Sequence, residues 1–184
     1  MNNIYFISDI HFHHSNIIDF ANRPFSSVEE MNMKMIENWN SVVKNDDIVY
    51  HLGDFSMKSN KEEVKNILNQ LNGKIILIKG NHDKVGQYRY IEADIVDNDT
   101  KNTIPLVMFH YPIKSWNKQL HGSIHVHGHE HSKDQNSGIY DDKKRIFNCC
   151  VEAIEYTPIS LKKILEHFGI IGYNNYSLKI KNSF

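Results

Sequence analysis

Five short apolar runs along this chain each stop at a polar cluster rich in Asp, Asn and His. Ile4–Ser8 (IYFIS) runs into Asp9-Ile10-His11, Asp47–Leu52 (DIVYHL) into Gly53-Asp54, and Lys74–Lys79 (KIILIK) into Gly80-Asn81-His82-Asp83. Further on, IPLVMF runs into His110-Tyr111-Pro112, and SIHVH into Gly128-His129-Glu130-His131. A short apolar run bounded by turn residues reads as a buried strand. Open α/β sheets build their sites outside the carboxyl ends of strands, so five such ends predict one shared pocket. The glycines before Asp54, Asn81 and His129 allow a sharp turn and a close backbone approach to a ligand.

Between these strands the period changes to that of helices. Ser26 and Ser27 each have a Glu three residues on (Glu29, Glu30), a capping-box signature. Val28, Met31, Met35, Trp39 and Val42 then step along one face. A second helix opens near Asn60, carries Val64, Ile67, Leu68 and Leu71, and stops at Gly73. Ile91–Val96 and Ile104–Phe109 predict a hairpin, Ser123–Val126 and Arg145–Val151 further strands, and Ser160 a cap for a last helix ending at Gly169. Residues 170–184 have no clear period and are left unassigned. At 184 residues, with neither repeat nor Pro/Gly/Ser-rich linker, the expectation is one α/β domain spanning 1–184.

The pocket so assembled holds Asp9, His11, Asp54, Asn81, His110, His129 and His131, nitrogen and oxygen donors without sulfur. A lone catalytic zinc takes three protein ligands and a structural zinc four. Seven candidates suit two divalent ions about 3.5–4 Å apart, joined by a carboxylate and a water. The mixed donors favour Mn²⁺, Fe, Ni²⁺ or Zn²⁺ over Ca²⁺, with Mn²⁺ first among them. Such a pair acidifies a water and neutralises charge in an in-line displacement at phosphorus, so hydrolysis of a phosphate ester is the reaction class to expect.

Asp-x-His, Gly-Asp, Gly-Asn-His-Asp, a lone His after a strand, and Gly-His-x-His, in that order, resemble the calcineurin-like metallophosphoesterases. The motifs span Asp9 to His131, and HSNII, NRPF, IENWN, YHLGDF and EYTPIS are similar to small bacterial and phage members of that family. The resemblance implies a four-layer α/β/β/α sandwich with two mixed β-sheets. It implies one metal on Asp9, His11 and His131, a second on Asn81, His110 and His129, and Asp54 bridging them. It further implies that the nucleophile is a bridging hydroxide, and that His82 binds no metal but protonates the leaving oxygen or stabilises transition-state charge, with Asp83 orienting it.

Around this set, His14 is a candidate contact to the substrate phosphate and Arg23 a candidate bidentate clamp on its oxygens. A surface histidine and a surface salt bridge are the plainer alternatives. His51, His125 and His127 read as packed, hydrogen-bonded strand residues, as does His121; His167 reads as solvated. Met31 and Met35 read as core filler, Cys149 and Cys150 as small buried hydrophobes, and the charged run around Asp141–Arg145 as a solvated turn. The loops 13–25, 84–90 and 114–122 are expected to select the substrate.

Two other readings compete with this one. DIHFHHS also looks like the first motif of amidohydrolase-type metalloenzymes, but those barrels typically need about 250 residues, and GNHD has no place in them. A non-catalytic scaffold that binds a protein partner is the second; such relatives have degraded ligands, whereas here each is intact. A net charge of −1 gives no whole-protein pull toward nucleic acid or anionic membrane. The expected partner is a small phosphate ester, a nucleotide among the candidates. Two adjacent cysteines without a disulfide framework, no apolar run of membrane-spanning length and no signal-peptide pattern predict a cytoplasmic protein.

Overall fold

The first half of the chain alternates strand and helix because its apolar period switches between two and three-to-four residues. In the computed structural model, which describes residues 2–57, 60–135 and 144–184, β1 (Ile4–Ile7), β2 (Ile48–His51) and β3 (Lys74–Leu77) are parallel neighbours. A short β8 (Ile159–Ser160), which the sequence did not announce, pairs antiparallel with β1 and completes a mixed sheet in the order β3-β2-β1-β8. The crossovers are α2 (Val28–Val42) and α3 (Lys61–Leu68). Two right-handed crossovers that step the same way across a sheet leave both helices on one face.

Capping follows the sequence closely. Ser27 Oγ accepts from the Glu30 amide at 3.1 Å while the Glu30 carboxylate accepts from the Ser26 amide at 2.7 Å. Asn60 caps α3 through the Glu62 amide at 2.9 Å. Met31, Met35 and Trp39 form the buried stripe of α2, with Met33 facing solvent. The Trp39 indole N–H donates to the Asn72 carbonyl at 2.9 Å, tying α2 to the turn after α3. Truncating such a buried indole to Ala costs about 3–5 kcal/mol.

The second sheet has the order β7-β6-β5-β4-β9. The expected hairpin is β4 (Tyr90–Asp97) and β5 (Thr103–Phe109); β6 (Ile124–His127) and β7 (Arg145–Asn148) run parallel to β5. The unassigned tail supplies β9 (Tyr176–Ser183), antiparallel to β4 at the sheet edge. Only Tyr176 and Leu178 of β9 are half-buried, so its sequence carries little of the alternation that marks a packed strand. A final helix, α4 (Leu161–His167), is capped by Ser160 as anticipated and buries Leu161, Ile164 and Leu165.

Side chains alternate across each strand. Leu106, Met108 and Phe147 join Phe6 and Val49 in one core, whereas Val107 and Ile146 point the other way and are covered by Trp116. The loop 114–122 therefore roofs the outer face of the second sheet, with a single 3₁₀ turn at Gln119–His121. His121 in that turn is exposed rather than buried.

One crossing joins the sheets where function is expected. The strand anticipated over 145–151 leaves its sheet at Asn148, and Cys150 instead bridges to Ser8 at the end of β1. The Ser8 amide donates to the Cys149 carbonyl at 2.9 Å. Asp141, Asp142 and Lys143 of the charged turn lie outside the described residues.

Candidate metal centre

The polar segments after β1, β2, β3, β5 and β6 meet because their backbones are bonded to one another. The Asp9 amide donates to the Gly53 carbonyl at 2.9 Å, the His11 amide to the Asp54 carbonyl at 3.0 Å, and the Gly128 amide to the His110 carbonyl at 2.9 Å. Glycine is demanded for two different reasons. Gly53 has φ of 105°, a left-handed conformation. Gly80 and Gly128 are needed for space: a Cβ at Gly80 would overlap the Asp54 carboxylate, and one at Gly128 the Asp9 carboxylate. The close approach that glycine permits is thus to the chain's own carboxylates.

All seven sequence candidates converge. Asp9, His11 and His131 each offer an atom within 4.8 Å of the others, and so do Asp9, Asp54 and His110. Asp54 Oδ2 lies 3.6 Å from both His11 Nε2 and His110 Nε2, and Asp9 is common to the two groups. Asn81 Oδ1 lies 2.9 Å from His110 Nε2 and 3.1 Å from His129 Nδ1. Five of these residues, Asp9, His11, Asp54, His129 and His131, have φ between 49° and 77°. Non-glycine residues hold such conformations at a cost of order 1–3 kcal/mol each, and they gather at functional sites.

The donor set fits cations. His110 Nδ1 must donate to the Leu52 carbonyl, 2.8 Å away, because a carbonyl can only accept. In a neutral ring this tautomer, assigned from the hydrogen bond, aims the Nε2 lone pair at Asn81 Oδ1 and the Asp54 carboxylate. His131 repeats the arrangement, Nδ1 donating to Glu152 Oε1 at 3.1 Å and Nε2 facing Asp9 Oδ1 at 3.7 Å. Asp9 Oδ1 and His11 Nε2 are buried with no hydrogen-bond partner. Burial, followed by the neighbouring His131 and Arg23, pushes His11 down to about 2, so its ring is neutral at ordinary pH. Burial, then His110, also lowers His129. Lone pairs and carboxylate oxygens facing one another repel until positive charge lies between them.

Residues 2–148 match the calcineurin-like phosphoesterase superfamily domain. This chain belongs to that family. An uncharacterized protein of Methanocaldococcus jannaschii is 43% identical over 169 residues, covering 90% of this chain and 91% of its own. The Gene 66 protein of Mycobacterium phage L5 is 28% identical, covering 72% and 79%. The crystal structure of a protein of unknown function from Aquifex aeolicus superposes with a TM-score of 0.69 at 27% identity, covering 91% of this chain and all of that one. The fold expectation, an α/β sandwich of two mixed sheets, is met.

In this calcineurin-like domain two of the expected roles need correcting. Arg23 does not face the cleft. It is buried, donating through Nε to Glu152 at 2.9 Å, through Nη1 to the Ile10 carbonyl at 2.8 Å and the Met31 sulfur, and through Nη2 to the Asp9 carbonyl at 2.7 Å and to Glu152. Its guanidinium is fully engaged in holding the Asp9-Ile10 backbone and has no donor left for a phosphate. Asp83 does not orient the His82 ring. Its carboxylate accepts from the amides of Asp54 (2.6 Å), Phe55 (3.0 Å) and Gly80 (2.9 Å), clamping two ligand loops together. His82 itself stands in the cleft, its amide donating to Asp54 Oδ1 at 2.9 Å and its ring 5.4 Å from that of His11. His14 is half-buried beside it, 3.3 Å from His11 between Nδ1 atoms.

The sequence reading missed two supports. Glu152 orients His131. Burial alone would raise its pKa, but the His131 hydrogen bond and the Arg23 charge hold it below the ordinary value. Burial pulls His131 down, yet Glu152 and Asp9 outweigh it and leave His131 raised. Cys150 is more than filler, since its thiol donates to Asp9 Oδ2 at 3.1 Å. His51, read from the sequence as a packed and hydrogen-bonded strand residue, accepts from the Gly53 amide at 3.3 Å. Of the three loops expected to choose substrate, only 13–25 lines the cleft, through α1 (Asn16–Phe20).

Proposed function

We propose that this calcineurin-like domain hydrolyses a phosphodiester or a small phosphomonoester with the help of two divalent cations, Mn²⁺ first and Fe, Zn²⁺ or Ni²⁺ as alternatives. Asp9, His11 and His131 would hold one, Asn81, His110 and His129 the other, and Asp54 both. When bound, such a pair supplies an acidified water and neutralises charge at phosphorus. The observation that carries the reading is the set of opposed lone pairs and orphaned buried donor atoms at the cleft floor.

The chain's own residues would do the rest. His82 donates a proton to the leaving oxygen; its backbone bond to Asp54 fixes its distance from the shared ligand. His14, on the same side, contacts a phosphate oxygen. Arg23 and Glu152 keep the β1 end and His131 in place from behind. Cys149 and Cys150 are buried free thiols, which supports a reducing, cytoplasmic setting. No helix among the described residues is long and apolar enough to cross a membrane.

Hydrolysis of bis-p-nitrophenyl phosphate beside p-nitrophenyl phosphate, on chelated protein refilled with Mn²⁺, tests this against an Asp54→Asn control. Metal-dependent turnover lost in the variant supports it, and the better ester distinguishes diesterase from monoesterase. Neither turnover nor bound metal would return the chain to the scaffold reading.

A further inference from the structure

Phe20 closes α1 with 79% of its surface exposed, while Ile17, one turn earlier, is buried. A single exposed aromatic is ordinary on a protein surface. This one stands on the lip of the cleft whose floor is the donor set, its ring perpendicular to that of His131 with centroids 6.3 Å apart. Ile17 and Phe20 give the cleft an apolar wall, whereas His82, His129 and Glu130 give it polar lining. The cavity measures about 460 Å³. A phosphate group, of the order of two or three waters at roughly 30 Å³ each, leaves most of that volume for the ester's organic part. The Phe20 ring, 6.3 Å from that of His131, is only a few covalent bonds of about 1.5 Å each away from the edge of the donor set.

We infer that Phe20 is a stacking platform and that the cleft selects phosphate esters carrying a planar aromatic group of nucleobase type. The inference rests on the phosphoester reading and names the substrate class of that same site. A phenyl ring stacks any base without hydrogen-bond readout, so the platform favours an aromatic substituent over a sugar alone and does not choose among bases. The surrounding polar side chains hold the phosphate end, and neither Phe20 nor Ile17 is a donor to it.

The test is calorimetric titration of Mn²⁺-loaded protein in a His82→Asn background, where slowed turnover does not obscure binding. The probes are adenosine 5′-monophosphate and ribose 5-phosphate, which differ only by the base. The nucleotide is expected to bind about 5- to 150-fold more tightly, the usual range for one stacked base. Phe20→Ala should bring that ratio close to one and leave ribose 5-phosphate binding unchanged, and Phe20→Tyr should retain it. Equal binding of the two probes, or a preference that survives Phe20→Ala, overturns the aromatic subsite while leaving the phosphoester reading standing. If neither probe binds the metal-loaded protein, the subsite falls, and turnover of bis-p-nitrophenyl phosphate by the wild-type protein decides separately whether the phosphoester reading stands.

Discussion

Glu152 accepts a hydrogen bond from His131 Nδ1 at 3.1 Å, and the same oxygen takes the Arg23 guanidinium at 2.8 Å. A histidine that gives its Nδ1 proton to a carboxylate presents Nε2 as a fixed, basic ligand atom, and losing such a partner typically lowers metal affinity 10–100-fold. Glu152→Gln should therefore bind one of two Mn²⁺ ions more weakly by about that factor, read by metal titration of chelated protein. Two ions bound at unaltered affinity would show that Glu152 does not orient His131.

His82 approaches the centre through its ring, and its backbone is bonded to Asp54. Replacing it with Asn should keep both metals and lower kcat by about 10²–10⁴-fold, the usual loss of a general acid or base. Elemental analysis beside steady-state kinetics separates the outcomes, since loss of a metal would make His82 a ligand.

Gly128 has no room for a methyl group. A Cβ there would meet the Asp9 and Ser8 side-chain oxygens and come within 2.7 Å of Ser8 Cβ. Gly128→Ala should displace Asp9, weaken metal binding and destabilise the fold by about 1–3 kcal/mol. Thermal melts with and without Mn²⁺ check it: a variant with unchanged melting and full metal content would mean that β1 and the His129 loop can separate freely.

Burial holds His125 down at about 4, and His51 and His127 at about 3. An unfolded histidine titrates near 6.5, so below that pH the unfolded chain binds more protons than the folded one. Stability is then complete above about pH 6.5 and falls as pH drops toward 4, by up to about 1.4 kcal/mol per pH unit for each such histidine. Melts of chelated protein between pH 7.5 and 5 should show this slope, and His125→Gln should flatten part of it. A melting temperature independent of pH over that window would contradict the neutral burial of these rings.

Signals that act over a few residues were readable in the sequence. The Ser26–Glu30 cap, the Met31-Met35-Trp39 stripe and the glycine-flanked ligands all follow from local spacing. What escaped depends on distant partners or weak patterning. Nothing near Arg23 announces Glu152, 129 residues away, so an inward structural arginine reads the same as a phosphate clamp. The strand expected through Val151 crosses to the other sheet because Ser8 offers it a partner. β9 went unread because an edge strand mostly facing solvent need not alternate, and the five-residue α1 is too short to show a period.

The left-handed backbone shared by Asp9, His11, Asp54, His129 and His131 sets stability against chemistry along this chain. Without cations, glycine at any of these positions would relieve conformational strain, since glycine adopts positive φ without a Cβ penalty. A selection for heat resistance alone, carried out in chelator, would therefore erase the ligands before it disturbed the packed interior. The same selection in Mn²⁺ would keep them, because ions bound only by the folded chain add their binding free energy to its stability.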